Sequence, residues 1–206
     1  MASRWIWVSG WAIAPDRFRS AVERALPDDS HQVLAPTPDA LSTVRASDAD
    51  RIGGYSLGSL ILLSALQQLP EAVPILCLAP FISFCKEDSS GGTTPAAMLQ
   101  ALQQRLRTRP QKALQLFYRL AGLTAEPSHD LPYPAEHLEW GLDQLAHLKA
   151  DTTLLTRVSG IAGLTDPLIN CNEMRAQWQA CHFIEECSHD YQQLLAALTQ
   201  MDSTQT

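Results

Sequence analysis

The chain predicts an α/β fold, with a mainly parallel sheet of roughly six strands, helices on both faces and one inserted helical segment. Three observations predict it. Short apolar runs alternate with segments of helical period along the chain. Some of those runs are apolar throughout, as strands are when both faces of the sheet are covered. Between two late runs, about residues 85–150, the pattern turns helical with no strand in it.

The first strand is Trp5-Ile6-Trp7-Val8, a compact β-rich run stopping at Ser9-Gly10. Trp5 to Ala14 faintly resembles a secretory leader ending in Ala12-Ile13-Ala14. Its basic region is a single Arg, and Gly10 and Pro15 interrupt the pattern, so a buried strand is the better reading. Phe18, Ala21, Val22, Ala25 and Leu26 recur at helical spacing, which predicts a helix from about Asp16. Gln32-Val33-Leu34 reads as the second strand, closed by Pro36 and Pro38, and Asp50 to Gly54 as the third. Leu57 to Leu69 predicts a strongly apolar helix ending before Pro70, and Val73 to Ala79 the fourth strand.

The inserted segment opens with Ser89-Ser90-Gly91-Gly92, read as flexible. Thr94-Pro95 predicts an N-cap with a first-turn proline, and Thr108 with Gln111 a capping box. Beyond it, Thr152 to Val158 predicts the fifth strand and Ala180 to Glu185 the sixth. A last helix covers about Tyr191 to Met201, followed by a frayed polar tail. The expected layout is a core of residues 1–84 and 151–206, with residues 85–150 as a helical lid over the carboxyl edge of the sheet, where ligands bind in such folds.

At 206 residues the chain suits one domain with a full core. A formal net charge of −7 argues against a general nucleic-acid binder. The five cysteines show no paired spacing, and Cys77 lies inside an apolar run. Reduced thiols and a cytoplasmic location are therefore expected. No apolar run approaches the ~20 residues needed to span a bilayer.

The chemistry-bearing motif is Gly54-Tyr55-Ser56-Leu57-Gly58. It matches the nucleophile elbow of α/β hydrolases, in which a tight strand-to-helix turn lifts the serine Oγ clear of the sheet. The following helix then passes so close to the strand that only glycine fits two residues to either side. A serine hydroxyl is a weak nucleophile and needs a base oriented by an acid, in the chain order Ser, Asp or Glu, His. Asp166, in the loop read as following the fifth strand, fits the acid, and capping of the next helix is its bland alternative. His189, between the sixth strand and the last helix, fits the base. Leu57 N–H, at a helix start, and Trp11 N–H, in the loop after the first strand, are the expected oxyanion donors. Cys181, His182, Cys187 and His189 have no recognised zinc spacing, and no metal or organic cofactor is expected.

These residues resemble the pimeloyl-acyl-carrier-protein methyl ester esterases of biotin synthesis, the BioH-like α/β hydrolases and their short relatives. The resemblance is carried by Val8-Ser9-Gly10-Trp11, the serine pentapeptide, Ala79-Pro80-Phe81-Ile82-Ser83, Gly141-Leu142-Asp143-Gln144-Leu145 leading to Asp151, and the pair Leu164-Thr165-Asp166-Pro167-Leu168 with Ser188-His189. It implies Ser56, Asp166 and His189 as the triad, Trp11 and Leu57 as the oxyanion hole, and Tyr55 and Phe81 beside the substrate. The implied substrate is a pimeloyl methyl ester on acyl carrier protein. Ser9 and Ala12 depart from the family's His-Gly-Trp-Gly, and its usual first two strands are expected to be missing.

One feature of the residues themselves suits an acidic carrier. Arg105, Arg107, Arg109, Lys112 and Arg119 fall in the insertion, with no Asp or Glu between Ser89 and Ala125. Such a basic region would steer an acidic partner, and a solvated helix face is the alternative.

Overall fold

The computed structural model describes residues 2–203. Strands β1 (Arg4–Val8), β2 (Ser30–Leu34), β3 (Arg51–Tyr55), β4 (Ile75–Leu78), β5 (Val158–Gly163) and β6 (Cys181–Ile184) form one sheet in the order β2-β1-β3-β4-β5-β6. Every neighbouring pair is parallel. The helices are α1 (Pro15–Ala25), α2 (Ala40–Ala46), α3 (Leu57–Ser64), α4 (Ala96–Thr108), α5 (Pro110–Leu120), α6 (Ala135–His147), α7 (Cys171–Gln177) and α8 (Tyr191–Ser203). Helices α4 to α6 all lie between β4 and β5 in the chain. From β1 the chain steps outward to β2 and then returns to the other side of β1 as β3. That reversal opens a crevice between the loops after β1 and β3, the usual ligand position in open parallel sheets.

Burial follows from residue type. In β1, Trp5 to Val8 are all buried, and Trp5 stacks on Trp7 with ring centroids 4.7 Å apart, as residues i and i+2 of one face can. All four residues of β4 are buried. Helix α3 is apolar around nearly its whole circumference and buried from Leu57 to Leu63, because the sheet packs on one side and α6 on the other. Cys77 in β4 and Cys181 in β6 are buried free thiols, each pushed up to about 12 by desolvation. Iodoacetamide at pH 8 should therefore leave both unmodified in the native protein, while in urea all five cysteines react. Mass mapping of the adducts checks this, and a native adduct on Cys77 would contradict it.

Several elements differ from their sequence expectation. Residues Thr152–Arg157 form a 3₁₀ segment, not the fifth strand, and the strand lies later, at Val158–Gly163. The Asp151 carboxylate accepts the Thr153 N–H at 3.0 Å and starts the 3₁₀ turn. Helix α3 ends at Ser64 instead of running to Leu69, with a 3₁₀ turn at Leu66–Gln68. The Asp151 N–H takes the Leu63 carbonyl, which a helix running to Leu69 would give to the Gln67 N–H. Helix α2 has no counterpart among the expected elements.

In the insertion, α4 begins at Ala96 with Pro95 in the cap position, and the Glu87 carboxylate accepts the Ala96 N–H in place of a Thr94 cap. Thr108 closes α4 by donating to the Gln104 carbonyl, and Arg109 precedes Pro110 at the start of α5, so no capping box forms. The segment read as flexible is held at Gly91, whose N–H donates to Glu173 and whose carbonyl accepts from Asn170. The last helix continues through Ser203, and the end of the polar tail, 204–206, lies outside the described residues. No described helix is long and apolar enough to cross a membrane.

Candidate active site

The loops that leave the carboxyl ends of β1, β3, β5 and β6 converge on one edge of the sheet. Ser56 sits between β3 and α3 with φ 54° and ψ −115°, a backbone conformation rare for any residue other than glycine. The turn is held because Ser56 N–H donates to the Leu78 carbonyl at 2.9 Å while the Ser56 carbonyl accepts from Leu60 at 3.0 Å. Close approach explains both flanking glycines. A Cβ on Gly54 would lie 2.8 Å from the Ser59 backbone, and one on Gly58 2.0 Å from the Val8 carbonyl oxygen. The motif is thus required by the distance between helix and strands.

Asp166 and His189 reach this serine from the loops after β5 and β6. His189 Nε2 is 2.9 Å from Ser56 Oγ, and Nδ1 is 2.7 Å from Asp166 Oδ2. All three residues are buried, at 3 %, 1 % and 5 % exposure for Ser56, His189 and Asp166. With Asp166 ionised, Nδ1 must carry the proton that it donates. Nε2 is then free to accept from the serine hydroxyl. The second Asp166 oxygen accepts the Leu168 N–H at 2.8 Å, which fixes the carboxylate rotamer. This carboxylate does not cap α7, because Asn170 does so. The His189 loop is pinned twice. Tyr55 Oη donates to the His189 carbonyl at 2.8 Å, and the buried Asp190 carboxylate accepts the Thr124 N–H at 2.9 Å.

The two expected oxyanion donors belong to segments adjoining Ser56. Leu57 opens α3, where the first-turn donors have no intrahelical acceptor and the helix dipole is positive. Trp11 follows Gly10, and a Cβ on Gly10 would stand 3.3 Å from Ser56 Cβ, so this loop runs directly beside the serine. Ser56, His189 and Asp166 therefore lie in one hydrogen-bonded line, with the loop of Trp11 and the start of α3 adjoining it. That set can carry out acyl transfer.

The remaining sequence-derived residues are spread around this point. Phe81 is buried beside His189, with centroids 5.7 Å apart. Tyr55 is buried against Phe18, Tyr191 and His189, and its hydroxyl is occupied by the His189 carbonyl, so it supports the base from within the protein core. Burial raises the Tyr55 phenol well above its usual range, which keeps it a neutral donor. Arg105, Arg109, Lys112 and Arg119 are exposed on α4 and α5 or at their junction, away from the buried triad. Arg107 pairs with Glu139 at 2.9 Å. An apolar cleft of about 230 Å³ lies between these helices and the loop after β5, lined by Phe84, Met98, Leu102, Phe117 and Leu168 among others. It is one aromatic layer from the triad, since Phe84 packs on Phe81 and Phe117 on Trp11. Among the described residues, no three His, Cys, Asp or Glu side chains are grouped as metal ligands would be. Sequence reasoning gave no role to Asp190, Thr124, Tyr118 or Tyr133. Their bonds to the site loops join residues 66 to 121 positions apart, which no local spacing reveals.

The architecture is the α/β-hydrolase fold. An esterase from Exiguobacterium antarcticum superposes with a TM-score of 0.75 at 13% identity, covering 98% of this chain and 91% of that one. A lipase-esterase related protein from Clostridium acetobutylicum gives 0.66 at 13% identity over 98% and 93%. An N-acyl homoserine lactonase gives 0.66 at 9% identity over 99% and 89%. No family model and no curated protein matches the sequence.

Proposed function

We propose that this chain is a serine carboxylesterase. The continuous path from Ser56 Oγ through the His189 imidazole to the Asp166 carboxylate carries the reading. Ser56 attacks the ester carbonyl while His189 Nε2 takes its proton, and the resulting oxyanion points at the N–H groups of Leu57 and Trp11. Collapse expels the alcohol, which receives the proton from His189. Water activated by the same imidazole then releases the acid. Esterases among the structural neighbours are consistent with this chemistry.

The substrate we propose is the methyl ester of an acyl chain, pimeloyl in the first instance, on acyl carrier protein, with methanol as leaving group and the cytoplasm as location. The family resemblance, the apolar cleft one aromatic layer from the triad and the exposed cations of α4 and α5 support this choice. The cations would meet the acidic carrier while the chain passes inward. Carrier-bound and free pimeloyl methyl esters should then respond differently to salt. Near 1 M salt, where the Debye length shrinks to about 3 Å, kcat/KM should fall roughly tenfold or more for the carrier-bound ester and stay near constant for the free one. Replacing Arg105 and Lys112 by Glu should have the same selective effect on KM. Equal behaviour of the two esters would remove the carrier and leave a small-ester hydrolase.

A further inference from the structure

The loop beside the serine is gripped by residues of the inserted segment. Its first residue, Ser9, is tied to β2 through the Leu34 carbonyl, and a turn from Gly10 to Ile13 closes it. Between them Ala12 has φ 61°, in the left-handed region that residues with a Cβ rarely adopt. Both sides of Ala12 are held by tyrosines of the insertion. Its N–H donates to Tyr133 Oη at 2.7 Å, and its carbonyl accepts from Tyr118 Oη at 2.9 Å. The preceding residue is fixed the same way, because Trp11 Nε1 donates to the Leu138 carbonyl at 2.8 Å. All of these groups are buried, so no water replaces a partner that is lost. Burial also pushes both phenols upward, and each remains a neutral hydroxyl.

We propose that Tyr118 and Tyr133 are positioning residues of the oxyanion site, clamping the peptide groups on either side of Ala12 so that the adjoining Trp11 N–H stays aimed at the reacting carbonyl. The inference rests on the hydrolase reading above and deepens it. The inserted helices then complete the catalytic edge in addition to covering it. An N–H aimed in advance stabilises the developing oxyanion without reorganising, so loosening the clamp weakens transition-state binding and spares ground-state binding.

The test uses the full chain and p-nitrophenyl butyrate. Tyr133→Phe and Tyr118→Phe should each lower kcat about tenfold, less than the loss from deleting an oxyanion donor, with KM within about twofold of wild type. Adding Ala12→Gly to Tyr133→Phe should recover part of the lost kcat, because glycine holds the left-handed conformation without a clamp. Thermal melts report whether each variant is folded. Folded variants with wild-type kcat would overturn the proposal, as would losses that track the melting temperature and are not recovered by Ala12→Gly. A wild-type protein inert toward esters would overturn the hydrolase reading itself and this inference with it, whereas an active wild type with indifferent tyrosine variants defeats the clamp alone.

Discussion

Ser56→Ala should lower kcat for ester hydrolysis by roughly 10⁴- to 10⁶-fold while leaving the fold unchanged. The residue is small and its side chain bonds only to His189, so its removal leaves no large cavity. His189→Ala should cost a similar amount, and the double variant little more than either alone. The reason is physical. In the proposed mechanism the imidazole acts by taking the Ser56 proton, so without the hydroxyl it has no proton to take. Parallel kcat measurements on the three proteins check this. Additive losses would mean that the two side chains act in separate steps.

Gly58→Ala should be far more damaging than a single added methyl group usually is. Its Cβ would lie 2.0 Å from the Val8 carbonyl oxygen and 2.6 Å from that of Ser9, both backbone atoms. Either α3 must move off the sheet or β1 must shift, and α3 is packed on all sides. A loss of more than about 4 kcal/mol in unfolding free energy is expected, read from urea midpoints or as a failure to accumulate soluble protein. Gly54→Ala should cost less, because its closest contacts are at 2.8 Å and a small displacement relieves them. A Gly58→Ala protein with an unchanged midpoint would show that the helix is not pressed against the strand as described.

The parts of the fold legible in the sequence are those in which local pattern and tertiary demand agree. Trp5 to Val8 is apolar throughout and buried throughout, as a strand covered on both faces is, and the Gly-x-Ser-x-Gly spacing names a turn that only a close helix requires. The error at β5 shows where agreement ends. Thr152-Thr153-Leu154-Leu155 has the β-branched and apolar character of a strand, but a local carboxylate at Asp151 turns it into 3₁₀ geometry. The true strand, Val158–Gly163, contains Gly160 and Gly163 and so reads as a loop. The Trp178 ring and the Cys187 carbonyl fill the space where their Cβ atoms would be, at 2.8 and 2.1 Å. Such glycines report a neighbour from elsewhere in the chain, not a local bend.

Helix α2 was hidden for a different reason. Its seven residues, Ala40–Ala46, bury only Ala40 and Val44, too short a stripe to stand out from loop sequence. Order in the chain was enough to suggest Ser56, Asp166 and His189 as a set, since the architecture dictates it. The supports around them, Tyr118, Tyr133, Thr124 and Asp190, depend on where the inserted helices dock. Nothing in the spacing of those residues encodes that docking.

The central claim is that Ser56 is the nucleophile, made reactive by His189. It is tested most directly by treating the native protein with a fluorophosphonate and mapping the adduct by mass spectrometry. The expected result is stoichiometric modification of the peptide carrying Ser56, absent in Ser56→Ala and greatly slowed in His189→Ala. A folded wild-type protein that takes up no label, or one that carries it on another residue, would contradict the claim.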